Sequence, residues 1–307
     1  MQNPSLSNHF KERKPSSIRQ AQIKFSNRAD RKIVSVINLA IGNVSLPIHP
    51  SMRKRMESLS NNDTFAKGKV PYTSTVGLKE TRNAFLKAIS TLDIDVSNLF
   101  TSITDGGSSS MEIMLLGVCG PSSKQPIMLL DPSYTNYLQF CKRLDIPVLS
   151  TDRILREDGT FAPLNFDNIL DMVKKHRPTA LIIIPYDNPT GQFLNQNSIN
   201  KIAEICIENK IWLISDEAYR PIVFTNENPS SVWKIPSEII PNKFYFRVSI
   251  ESASKVWNAC GLRIGGIVTD SKEFHLNAVS EYTANLCANH LGQYIFGALA
   301  NEPTSKI

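Results

Sequence analysis

Lys255 stands in Ser252-Ala253-Ser254-Lys255, and Arg263 follows within Gly261-Leu262-Arg263-Ile264-Gly265. A lysine amine can condense with a carbonyl, and the rigid fork of an arginine can give two parallel bonds to a phosphate. The glycines on either side of Arg263 leave the backbone free to bend around such an anion. Upstream, Gly106-Gly107-Ser108-Ser109 precedes a helix predicted over 111–118. Backbone N–H groups at a helix start attract anions, and small side chains let the ligand approach them. Read singly, each feature is ordinary, since most lysines and arginines are surface cations and most Gly-Ser runs are turns.

The elements that must position these residues follow from hydrophobic pattern. Apolar runs at 127–130, 180–184 and 211–215 suit strands buried on both faces, and helix-period segments at 77–90, 135–144, 167–175 and 196–210 alternate with them. That alternation predicts an α/β fold with a largely parallel sheet. Asp131, Asn188 and Asp216 each come just after one of these strands. In an open parallel sheet, ligands collect beyond the carboxyl ends of the strands, so the three are expected to share a crevice.

Five blocks occur in order: Thr104-Asp105-Gly106-Gly107-Ser108-Ser109, Asp131-Pro132-Ser133-Tyr134, Asp187-Asn188-Pro189-Thr190-Gly191, Ser215-Asp216-Glu217-Ala218-Tyr219, and the Lys255 to Arg263 segment. In this order and spacing the chain resembles the class I/II aminotransferases, which are fold type I pyridoxal 5'-phosphate (PLP) enzymes of amino acid metabolism. The resemblance implies a three-layer α/β/α sandwich, the PLP-binding large domain, and a Schiff base on Lys255. Asp216 then pairs with the pyridine nitrogen, Tyr134 stacks on the ring, and Asn188 and Tyr219 bond the ring oxygen. Gly107, Ser108, Ser252 and Arg263 hold the phosphate, joined by Tyr72 from across a dimer interface. The catalytic residues implied are Lys255, Asp216 and Tyr219, while Gly42 and Asn188 contact the substrate. The same resemblance implies amino acid and 2-oxo acid substrates and a homodimer. An isolated Asp216 could instead cap a helix, and Tyr134 and Tyr72 could be structural tyrosines.

Residues 1–33 are expected to form an N-terminal arm, 34–300 the large domain and 301–307 a tail. Family members usually continue into a smaller C-terminal domain whose arginine clamps the substrate carboxylate. No arginine follows Arg263, so that domain is expected to be largely missing here. A PLP-binding remnant without turnover, or a PLP-dependent lyase of the same fold, therefore stands beside the aminotransferase reading. The formal charge of +6 comes largely from the first 32 residues, and an arm packing on the body or a partner accounts for it better than nucleic-acid binding. The five scattered cysteines favour reduced thiols in the cytoplasm over a disulfide framework or a metal site. No apolar run reaches membrane-spanning length, so no membrane association is expected.

Overall fold

Short apolar runs bounded by turns become the strands of one sheet, and the segments between them cover its faces. The computed structural model describes residues 4–37, 42, 44–220, 222, 224 and 226–307. They divide into two compact units, Met1–Val44 and Ser45–Ile307. The first holds α1 (Asn8–Lys11) and α2 (Ser17–Ser26). Ser16 starts α2 by accepting a hydrogen bond from the Arg19 N–H at 3.3 Å. Ile41 and Asn43, which flank Gly42 in its motif, lie outside the described residues.

The second unit opens with α3 (Pro50–Glu57) and α4 (Lys79–Ser90), then continues β1 (Phe100–Thr104), α5 (Gly107–Val118), β2 (Ile127–Asp131), α6 (Thr135–Leu144), β3 (Val148–Asp152), α7 (Phe166–His176), β4 (Ala180–Ile183), α8 (Gln196–Asn209), β5 (Trp212–Asp216), β6 (Arg247–Ser252), β7 (Gly265–Thr269), α9 (Lys272–Tyr282) and α10 (His290–Gly297). The seven strands form one sheet in the order β1-β7-β6-β5-β4-β2-β3. β6, β5, β4, β2 and β3 are mutually parallel, whereas β7 runs antiparallel to both β6 and β1.

Alternation along the strands separates the two faces of the sheet. Met128, Leu130, Leu181, Ile183 and Leu213 pack with Ile169 and Val173 of α7 and Ile199 and Ile202 of α8. Ile127, Leu129, Ile182, Ile214 and Ile250 point the other way, onto Met111 and Met114 of α5, Tyr137 and Phe140 of α6, and Phe274 of α9. The result is a three-layer α/β/α sandwich. A third apolar cluster joins Met52, Phe85, Ile103, Ile295, Phe296 and Leu299, packing α3, α4 and α10 beside β1. The last residues lie on this cluster, with the Lys306 carbonyl 2.9 Å from His49 Nε2. Among the described residues, no helix is long and apolar enough to cross a membrane.

Strand polarity decides where the chemistry gathers. Thr104, Gly265 and Ser252 are register partners at one edge of the sheet. β1 and β6 end there, and β7 begins there. The reversed strand thus brings Arg263, two residues before its start, to the edge that the parallel strands reach with their carboxyl ends.

Candidate functional site

A cavity of about 190 Å³ lies at this edge, and nine of the residues singled out from the sequence line it: Gly107, Ser108, Tyr134, Asn188, Asp216, Tyr219, Ser252, Lys255 and Arg263. A more open hollow of about 740 Å³ lies between α3 and α10, away from the strand ends. The smaller cavity is the one the sheet topology predicts.

One wall is built to receive an anion. α5 begins at Gly107 rather than at 111, so the Gly-Ser run that reads as a turn is the first helical turn, and no side chain caps it. By contrast, Asn195 caps α8 and Ser271 caps α9 through side-chain oxygens. The uncapped start leaves N–H groups for a ligand, aligned with the positive end of the helix. Gly106 takes φ +84°, and a Cβ there would meet the Arg263 guanidinium at 2.5 Å. A Cβ on Gly265 would strike the Gly106 carbonyl carbon at 2.4 Å, so close approach requires glycine there, while the positive φ favours it at Gly106. Arg263 Nη1 donates to the Cys260 carbonyl at 3.1 Å, holding the guanidinium beside the helix start. Ser252 Oγ accepts the Ser254 N–H at 3.1 Å, which shapes the turn leading to Lys255.

The opposite wall carries a carboxylate. Asp216 ends β5; its Oδ2 accepts a bond from the Tyr137 hydroxyl at 2.6 Å and its Oδ1 one from the Ala218 N–H at 3.1 Å. No ion pair among the described residues neutralises it. Burial pushes its carboxyl above the ordinary range, outweighing the lowering effect of those two bonds. Such a group offers a binding free energy to a cationic N–H placed against it. Burial, followed by the Asp216 charge, raises Tyr219 to about 12, so its hydroxyl remains a donor at neutral pH. Asn188 Nδ2 donates to the Tyr219 hydroxyl oxygen at 3.3 Å, and Lys255 Nζ lies 5.9 Å from the Tyr219 ring centroid. The Tyr134 ring meets Tyr137 edge-on, with centroids 5.5 Å apart, which leaves a flat aromatic face in the cavity wall.

These residues fit a phosphorylated aromatic aldehyde with a basic ring nitrogen. The helix start and Arg263 suit its phosphate, Tyr134 its ring, Asp216 its nitrogen and Lys255 its carbonyl. Tyr72 is not among the cavity residues; it is 78% exposed on the segment before α4. Gly42 is exposed within the N-terminal unit. Sequence reasoning missed Tyr137. The signal was its spacing of three from Tyr134 at the start of a helix, which places both on one side of the turn.

Residues 34–307 match the family described as aminotransferase class I and II, and the chain belongs to that family. It is 25% identical over 272 residues to an aspartate aminotransferase of Sulfurisphaera tokodaii, covering 88% of this chain and 63% of that protein. It is 28% identical over 262 residues to nicotianamine aminotransferase 1 of Oryza sativa, covering 84% and 50%. The chain thus spans less than two thirds of the length of these relatives. Among solved structures, an alanine aminotransferase from Pyrococcus furiosus superposes with a TM-score of 0.79 at 21% identity, over 98% of this chain and 74% of that one. The aspartate aminotransferase from Thermus thermophilus with maleate gives 0.79 at 19% identity, over 99% and 75%. At these identities the structural likeness speaks for the fold.

Proposed function

We propose that this chain binds pyridoxal 5'-phosphate in the cavity and acts as an aminotransferase, moving an amino group from an amino acid to a 2-oxo acid. The observation that carries the reading is the convergence of Lys255, Asp216, Tyr219 and Arg263 on one cavity beside the uncapped start of α5. When bound, the cofactor supplies an electron sink for the pair left on the substrate α-carbon after its proton is removed.

The residues of the chain do the rest. Gly107, Ser108, Ser252 and Arg263 hold the phosphate, and Tyr134 covers the ring. Asp216, held by Tyr137, keeps the ring nitrogen protonated. Asn188 and Tyr219 direct hydrogen bonds to the ring oxygen. Lys255 would hold the cofactor through its amine, and that same amine would act as the general base and acid that moves the proton at the substrate α-carbon. Gly42 and Asn188 are assigned to the substrate carboxylate. Tyr72, exposed with Val70, is assigned to the phosphate of a second copy in a homodimer. The five free cysteines suit a reducing, cytoplasmic setting.

The test is a single-turnover assay in which cofactor-loaded protein meets a panel of amino acids, followed by 2-oxo acids. The expected result is release of a 2-oxo acid in the first half and formation of a new amino acid in the second. Lys255→Ala should lower the rate at least about 10³-fold while remaining folded. Release of ammonia at each turnover, or no oxo acid from any donor, overturns the assignment.

A further inference from the structure

Arg153, the residue after β3, is absent from the cavity lining, yet it touches both loops that carry the cavity's polar and aromatic walls. Its Nη2 donates to the Leu130 carbonyl at 3.1 Å and to the Pro132 carbonyl, two residues before Tyr134. Its Nη1 lies 3.0 Å from Asp187 Oδ2, next to Asn188, and donates to Thr190 Oγ1 at 3.3 Å. Its backbone N–H donates to the Asp131 carbonyl at 2.7 Å. Asp187 in turn accepts from the Thr190 N–H at 3.1 Å and from the Thr190 hydroxyl, which closes the turn that presents Asn188.

Both ionic side chains are almost wholly enclosed, at 2% and 3% exposure. Burying such a pair is costly, and here Arg153 Nε is also left without a hydrogen-bond partner. A guanidinium held in this way is not a substrate clamp, because its fork is spent on carbonyls and Asp187. It is oriented instead by the two loops, with its planar head spanning the gap between them and Phe161 5.9 Å away. Lysine cannot make that span, since one ammonium point charge does not present two separated donor edges.

The geometry points to Arg153 and Asp187 as a buried brace that fixes the separation of the Tyr134 and Asn188 walls, making both of them positioning residues for the cofactor ring. The proposal rests on the cofactor reading given above, while the mechanical part of it is a property of the chain alone. The Asp187 carboxylate is also close enough to add to the upward shifts of Asp216 and Tyr219, so the brace and the electron-sink carboxylate share one electrostatic environment.

Two conservative variants separate bracing from bulk stability. Asp187→Asn keeps an acceptor for Thr190 but removes the charge, and Arg153→Lys keeps the charge but removes the fork. Hydrogen–deuterium exchange on the full chain without cofactor is expected to rise by about tenfold in peptides covering 131–136 and 187–193, with strands β5 and β6 unchanged. The pyridoxal phosphate dissociation constant is expected to rise by about tenfold in the same variants, with a shifted absorbance maximum of the bound cofactor. If one variant fails to fold, the other carries the same readouts. Exchange that stays at the wild-type rate in both loops, or rises only in step with β5 and β6, overturns the brace. If the wild-type chain takes up no cofactor, the functional reading fails, and the exchange measurement still decides the brace.

Discussion

Asp216 shows how one residue sets a trade between stability and chemistry. Its carboxyl is raised by burial, so the folded chain holds this proton to higher pH than the unfolded chain does. The sign follows from linkage: above the unfolded carboxylate pKa the native state binds more protons, so stability falls as pH rises towards the folded value. At neutral pH the ionised group is therefore a liability in the cofactor-free protein. Asp216→Asn is expected to raise the Tm of the cofactor-free chain at pH 7 to 8, with the difference vanishing below about pH 3.9, where the carboxyl is protonated in both states. Thermal melts across pH check this, and a variant that melts lower at pH 7 than the wild type would contradict it. Lys255 and Arg263 were legible through the motifs that carry the family resemblance, and the position of Asp216 through its place just after a strand. Tyr137 and Arg153 were not, because each acts through a partner distant in the chain: Tyr137 through Asp216 and Arg153 through Asp187.

At the scale of elements, β7 and the start of α5 are one construction. The Cβ that Gly265 lacks would fall within 2.5 Å of the Gly107 nitrogen, so strand and helix start pack backbone to backbone. Gly265→Ala is expected to destabilise the chain by about 3 kcal/mol and to weaken anion binding, because the helix start must move. Gly261→Ala has nothing within 4 Å of the new Cβ and should change stability by no more than about 0.5 kcal/mol. Denaturant melts on the pair give the contrast, and equal losses would remove the argument. The same construction explains what the pattern concealed. Gly265-Gly266 opens β7 yet has the composition of a turn, and β6 carries buried Ser249 and Glu251 where an interior strand is expected to be apolar. Those polar groups are tolerated because Trp233 Nε1 donates to Ser249 Oγ at 2.9 Å and Arg220 bonds Glu251 at 2.8 and 3.1 Å. Residues 127–130 of β2 and all of β4 are apolar, and β5 is apolar up to Ile214 before Ser215, which bonds Glu217 at 3.0 Å, so these runs were readable where β6 and β7 were not.

Over the whole molecule, the cavity is where separate parts of the sheet are tied together. Arg220 links Glu217, after β5, to Glu251, at the end of β6, and so joins the Asp216–Tyr219 turn to the strand that leads to Lys255. Arg153 joins the other two loops. A ligand that contacts all of these segments binds the native state alone, so it should stabilise the chain by mass action, by about 2.7 kcal/mol at a hundredfold excess over its Kd. The central claim is that this ligand is pyridoxal phosphate anchored on Lys255. The most direct measurement is borohydride reduction of the chain mixed with pyridoxal phosphate, followed by peptide mass mapping in the wild type and in Lys255→Ala. A visible absorbance band that borohydride abolishes and a single cofactor mass on the peptide containing Lys255 are expected, both absent from the variant. A colourless wild-type protein, or label spread equally over surface lysines in both proteins, would contradict it.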